Sequence, residues 1–343
     1  MNSKFGNRKN CRKHFLVLAS SLFFIIFLCG HSLLLAVEKE YPNAPIKVVV
    51  PYAPGGIVDL GARLTADYLS RELKVPVIIE NRAGAGGMLG AATVLKAKPD
   101  GYTLMAAGDA PLVSGPLQSP NPSYNPFRDF LPMGLLGITP SAYGVYNSSP
   151  FKTITEFVKD AKDNPGKLGC GFPLAGSSNH LTLELFRKYA EIDIKLVPYK
   201  GAPDAISALL GKHIDMLVLT YVAFLPYAKS GEARILAVSD AVPGSTIKTL
   251  PESGFPQPRL RAFDGFLSFQ APVHTPKPVY EKLVLSLERV AKNPEFAAKL
   301  DTVGLIRSYK TPADFREFMK EKWLVNAEVL EQLGLKKWQG KID

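Results

Sequence analysis

A β-branched run that ends in proline and two glycines, then passes straight into a helical repeat, constrains this chain more than any other stretch. In Ile46-Lys-Val-Val-Val-Pro-Tyr-Ala-Pro-Gly-Gly-Ile-Val-Asp59 the first five residues read as a buried strand, and the spacing of Leu60, Leu64 and Tyr68 reads as a helix over residues 60–73. Strand, tight loop and helix in that order make one unit of an α/β fold. The same unit makes an anion site. Gly55 and Gly56 let backbone N–H groups face outward, and a helix N-terminus adds about half a positive charge. A carboxylate or a phosphate fits such a site; an ordinary strand-to-helix turn is the plainer reading. The third glycine of a dinucleotide loop and the Lys-Ser/Thr of a P-loop are both missing, so no nucleotide cofactor is supported and no cofactor is expected.

The unit recurs along the chain. Residues 76–80 read as a short strand, the glycine-rich residues 81–90 as a loop, 91–98 as a helix, and 102–107 as a third strand ending at Gly108-Asp109. Prolines through residues 116–132 oppose regular helix, and this part reads as a surface excursion. Residues 135–146 read as a long strand crossing into a second domain. There a helix spans 153–164, a strand 168–172, and Ser177 or Ser178 can cap a helix reaching 190. A strand at 194–198 leads to Tyr199-Lys-Gly-Ala-Pro203, where Pro203 suits the first helical position and Gly211 ends the helix. Strands at 214–219 and 234–239 follow, residues 263–272 cross back, and from 278 the chain reads as helical, with Thr311-Pro-Ala-Asp314 opening a helix. Alternating strands and helices imply parallel sheets with ligand loops at their carboxyl edges. A chain that leaves one α/β lobe and returns to it makes a two-lobed clam with a cleft. The expected division is a leader at 1–36, a first lobe at 37–140, a second lobe at 141–263, and a helical return to the first lobe at 264–343.

The 343 residues are 46% hydrophobic, enough for a large core in two domains. The net charge of +10 suggests nucleic acid at first sight, but Lys4, Arg8, Lys9, Arg12 and Lys13 account for half of it. The rest is scattered, so no nucleic-acid partner is expected and the surface is mildly attractive to anions. Those five charges precede apolar residues 15–28 and 33–37, the layout of a secretory signal. Leu34-Leu35-Ala36 is a poor cleavage site, which leaves an uncleaved membrane anchor as the alternative. Cys11 and Cys29 fall in the leader, leaving Cys170 alone, so neither a disulfide nor a cysteine metal site is expected.

The loops carry a family resemblance. The opening stretch, Glu80-Asn-Arg-Ala-Gly-Ala-Gly-Gly87, Pro99-Asp-Gly-Tyr-Thr-Leu104, Gly176-Ser-Ser-Asn-His-Leu181, Val197-Pro-Tyr-Lys-Gly201 and Leu210-Gly-Lys-His-Ile-Asp215 resemble, in order, the tripartite tricarboxylate transporter receptors, also called Bug or TctC-like solute-binding proteins. The resemblance implies a periplasmic binding protein of the type II fold that captures a small carboxylate and hands it to a membrane permease, working as a monomer. It also implies a ligand site at Tyr52, Ala53, Gly55, Gly56 and Asp59, at Gly108 and Asp109, at Ser177, Ser178 and His180, and at the rim residues Lys200 and Gly201. The chain departs from the family's pattern at Ile57, at Asp109 and at Leu219-Thr220, positions that bear on the identity of the ligand.

Three other readings compete. Ser177, Ser178, His180 and Asp215 could form a hydrolytic triad on paper, but no Gly-x-Ser-x-Gly elbow is present and a serine N-cap explains the spacing. An intracellular ligand-sensing regulator needs a DNA-reading helix-turn-helix where this chain has a leader. A co-sensor for a surface kinase has the same sequence requirements as a transport receptor. None of the five histidines stands at metal-ligand spacing, so no metal is expected.

Overall fold

The computed structural model describes residues 40–173, 177–256, 258–332 and 334–340. Ala44–Asp343 makes one compact unit. The expected leader lies outside the described residues.

Within Ala44–Asp343 the strands form two separate sheets. The first contains β1 (Ile46–Val50), β2 (Val77–Asn81), β3 (Thr103–Ala107), β4 (Phe130–Thr139) and, far along the chain, β10 (Gly265–Pro272) and β11 (Ile306–Lys310), in the order β11-β4-β10-β3-β1-β2. The second contains β5 (Ser141–Tyr146), β6 (Gly169–Pro173), β7 (Lys195–Tyr199), β8 (Met216–Thr220) and β9 (Ala233–Val238), in the order β7-β6-β8-β5-β9. The expected two-lobed α/β fold is what forms. Helices α1 (Ile57–Leu73) and α2 (Met88–Lys96) follow β1 and β2. In the second sheet's half, α4 (Ile154–Asp163) precedes β6, and α5 (Ser178–Ala190), α6 (Ala202–Leu210) and α7 (Tyr221–Lys229) follow β6, β7 and β8. The C-terminal helices are α8 (Lys277–Lys292), α9 (Pro294–Thr302) and α10 (Pro312–Gln332).

Strand direction places the loops. In the first sheet β1 and β3 are parallel, β10 is antiparallel to β3, and β4 is antiparallel to β10. The carboxyl ends of β1, β3 and β4 therefore share an edge with the amino end of β10. In the second sheet β6, β7 and β8 are parallel and β5 opposes both β8 and β9. The carboxyl ends of β6 to β9 thus share an edge with the amino end of β5. Only Pro140 separates β4 from β5, so these two edges meet where the chain crosses.

Three expectations need correction. The strand read over residues 135–146 is two strands in different sheets, because Pro140 has no N–H to continue a ladder. The proline-rich stretch is not only a surface excursion: it follows a wide helical turn at Ala110–Ser114, opens with the short helix α3 (Gly115–Gln118), and buries Leu117, Tyr124, Phe127 and Phe130 while Pro120, Asn121 and Ser123 stay exposed. Tyr124 meets Phe130 edge-to-face at 5.7 Å and Phe127 meets Trp323 of α10 at 5.4 Å. Proline is tolerated only in a helix's first turn, as Pro116 is in α3, but it does not oppose burial, and the aromatic residues between the prolines supply the apolar area. Strand β11 escaped notice because its polar residues follow one buried Ile306 on the edge of a sheet, a pattern close to that of a loop.

Candidate ligand-binding site

Each of the cleft loops ends on a helix N-terminus. Gly56 is the N-cap of α1 with extended backbone (φ −74°, ψ 163°) and no side-chain cap. The helix thus begins at Ile57, three residues earlier than its apolar spacing suggests. Among the described residues, the amides of Gly56, Ile57 and Val58 have no acceptor. A Cβ at Gly56 would meet nothing closer than the Ala53 carbonyl oxygen at 3.9 Å. Neither backbone conformation nor packing therefore requires glycine there. At Gly55 the φ of +87° does. Ala53, Gly55 and Gly56 are exposed.

Two of the expected ligand groups are committed to shaping this loop. Asp59 is 1% exposed; its carboxylate accepts from Gly55 N at 2.8 Å, Arg63 Nε at 3.0 Å and Asn81 Nδ2 at 2.8 Å. Burial raises its pKa, but those three hydrogen bonds outweigh burial and hold the carboxyl below its usual range. Asp59 is thus a staple that fixes the turn, and the Gly55 amide is spent on it. Asn81 also donates to the Tyr52 carbonyl at 3.1 Å. The Tyr52 hydroxyl accepts from Gly108 N at 3.3 Å, and burial pushes its pKa upward. Gly108 is a packing residue: a Cβ there would lie 2.6 Å from the Phe266 carbonyl oxygen.

In the second lobe Ser177, rather than Ser178, caps α5: its Oγ accepts from His180 N at 3.3 Å and donates to the Pro173 carbonyl at 2.6 Å. Its hydroxyl is fully used, which leaves backbone amides as the donors of that turn. Ser178 is exposed and follows on the same turn. His180 stacks on Phe172 at 4.4 Å, and its Nε2 lies 3.7 Å from Glu184 Oε1. Burial, helped by Arg187 and opposed by Glu184, lowers its pKa and favours the neutral ring. Gly201 is likewise an N-cap with extended backbone, at the start of α6, and a Cβ there would meet only Pro203 Cδ at 3.7 Å. Lys200 beside it is exposed.

A hydrolytic triad does not assemble. Asp215 accepts from Gly169 N at 2.7 Å, at the amino end of β6, whereas His180 lies past that strand's carboxyl end. Five residues of strand, roughly 16 Å, separate them.

The sequence reading missed a buried charged cluster at the crossing. Asp264 accepts from Ser141 N at 3.1 Å, Ser141 Oγ at 2.9 Å and Ser239 Oγ at 2.6 Å, and so ties together the starts of β5 and β10 and the end of β9. Lys322 of α10, 3% exposed, donates to the carbonyls of Ala262 at 2.5 Å and Asp264 at 2.6 Å. Asp109 is coupled to this cluster through charge alone: burial pushes its pKa up, and Lys322 and a hydrogen bond from Ser114 draw it down by less. A readable signal existed, since Lys322 and Asn326 fall among Phe315, Met319, Trp323 and Val329 on the apolar stripe of α10.

Burial pushes the Asp264 carboxyl up to about 6, with Lys322 and the two serines pulling the other way. A carboxyl whose folded pKa exceeds its unfolded value of 3.8 stabilises the fold fully below pH 3.8 and loses that contribution as pH rises through about 6. The stability of the parent relative to Asp264→Asn is therefore expected to fall by about 2 kcal/mol between pH 4 and pH 6.5, the part of the shift that titrates in that window. Urea titrations of both proteins across that range check it, and parallel pH profiles would refute it.

Comparison with known proteins decides the family. The model of the tripartite tricarboxylate transporter family receptors, TctC, matches residues 61–335. The chain belongs to that family. Three solved receptors illustrate the relation. The periplasmic binding protein BugD is 29% identical, with a TM-score of 0.61 over 87% of this chain and all of that one. An R. palustris protein with adipate is 26% identical, with a TM-score of 0.66 over 86% of this chain and 99% of that one. MatC from Rhodopseudomonas palustris, with bound malate, is 26% identical, with a TM-score of 0.61 over 84% of this chain and all of that one. The family and these neighbours are periplasmic solute-binding proteins rather than enzymes. Among the described residues of this TctC-family receptor, no helix is long and apolar enough to cross a membrane.

Proposed function

We propose that this receptor is exported, captures a small carboxylate between its lobes, and delivers it to a membrane permease of the tripartite tricarboxylate type. The observation that carries the reading is the first turn of α1: open amides beside Gly56, a glycine that folding does not require, at the positive end of a 17-residue helix. The helix starts at Ser177 and Gly201 supply matching donors from the second lobe. Relatives with bound adipate and malate support a carboxylate as ligand. The lobes divide at Pro140 and rejoin at β10, and closure bends the chain there, around the pin formed by Asp264.

Titration calorimetry of the purified protein with mono-, di- and tricarboxylates tests this reading. Saturable binding without turnover supports it; no heat with any carboxylate refutes it. At the rim, Lys200→Ala is expected to weaken binding less than about fivefold, with the loss vanishing at high salt as for an exposed charge. Titrations at two ionic strengths check that, and a salt-independent loss would place Lys200 inside the site.

A further inference from the structure

Two side chains from opposite lobes converge beside this cradle. Ile57 is the first residue of α1, and its own amide is one of the open donors. Val222 lies in the first turn of α7, whose start is fixed to the crossing by Tyr221 N donating to the Pro140 carbonyl at 2.7 Å. Both side chains close on Gly304, in the turn between α9 and β11: a Cβ there would lie 3.3 Å from Val222 Cγ2 and 3.7 Å from Ile57 Cδ1 and Cγ1. Ile57 and Val222 are each half-buried, so part of each side chain stays accessible beside Gly304.

We infer that Ile57 and Val222 form an apolar wall across the lobes that selects, behind the carboxylate, a compact apolar body over one bearing hydroxyls or further carboxylates. The inference rests on the carboxylate cradle proposed above. A hydroxyl or second carboxylate pressed against two aliphatic side chains loses water and gains no hydrogen bond, whereas a methylene chain or ring gains from leaving water. Because the two residues come from different lobes, the wall is complete only where the lobes meet, which couples discrimination to closure.

The test is calorimetry with pentanoate, benzoate, malate and citrate on the parent, Ile57→Ala, Val222→Ala and the double variant. The parent is expected to bind pentanoate and benzoate more tightly than malate and citrate. Each single variant should lose about tenfold for pentanoate, in the range expected for trimming an apolar pocket, while malate and citrate change less than about threefold. The double variant should lose less than the product of the singles, since both side chains pack on the same Gly304. A parent that binds carboxylates while the variants shift all four ligands equally overturns the wall and leaves the cradle standing. A parent that binds none of the four overturns the cradle, and the wall with it. Melting curves accompany each titration, and Ile57→Val, which keeps most of the apolar surface, should retain the preference order.

Discussion

Gly56→Val is expected to weaken carboxylate binding by about a hundredfold or more, some 2.7 kcal/mol, while the protein still folds. The extended backbone at this position suits a β-branched residue, and the new Cβ has open space around it within the protein. The folding cost is therefore that of a poor N-cap, about 1 kcal/mol, or a fall in Tm of roughly 2–4 °C. The binding cost is steric: the side chain stands in front of the amides of Gly56, Ile57 and Val58, where a ligand oxygen must come within hydrogen-bond distance. Gly55→Val makes the contrast. A φ of +87° strains any β-branched residue, so that variant should lose stability as well as binding. Calorimetry and melting curves on both variants give the answer. Normal binding by Gly56→Val, coupled with abolished binding by Lys200→Ala, would overturn the backbone cradle in favour of a side-chain salt bridge.

The largest expected effect on stability comes from Lys322→Ala, about 3–5 kcal/mol. The ammonium sits in the interior among the carbonyls of Ala262 and Asp264 and interacts with the carboxyls of Asp109 and Asp264. Burial lowers its pKa and the two carboxyls raise it in return, so its charge and theirs depend on each other. Removing it strands two carbonyls and two acids in a dry site; the Asp109 Oδ1 atom has no hydrogen-bond partner among the described residues even with the lysine present. Asp264→Asn in the Lys322→Ala background should recover part of the loss, because one of the stranded acids is then neutral. Urea denaturation of the single and double variants measures the coupling. A loss below about 1 kcal/mol for Lys322→Ala would show the cluster to be hydrated rather than buried.

The α/β alternation, the strand-loop-helix units and the cap at Ser177 were legible because each depends on neighbours within about five residues: β-branched runs, glycines, and serine before a helix. The positions of the cleft loops followed from the same local signals, since parallel strands put their following loops on one edge. Local signals also misled. The prolines from 116 to 132 limited helix to the short α3, where Pro116 sits in the first turn, yet nothing near them in sequence reveals that Phe127 rests on Trp323 of α10.

The division of labour among the site residues was a different matter. Asp59 looked like a ligand contact and is a staple, because Asn81, 22 positions away, and Arg63 come to its carboxylate and free the amides that follow. Asp109 looked like a cleft charge and belongs to a cluster with Lys322, more than two hundred residues later. Residue order alone thus specified the two-lobed architecture and which turns gather at the carboxyl edges of the sheets, for those follow from backbone propensity and periodicity. Which donors are left over for a ligand, which acids are consumed in holding the crossing together, and that Ile57 and Val222 both pack on Gly304 were set by long-range packing, where a group's availability is whatever its distant neighbours have not already taken.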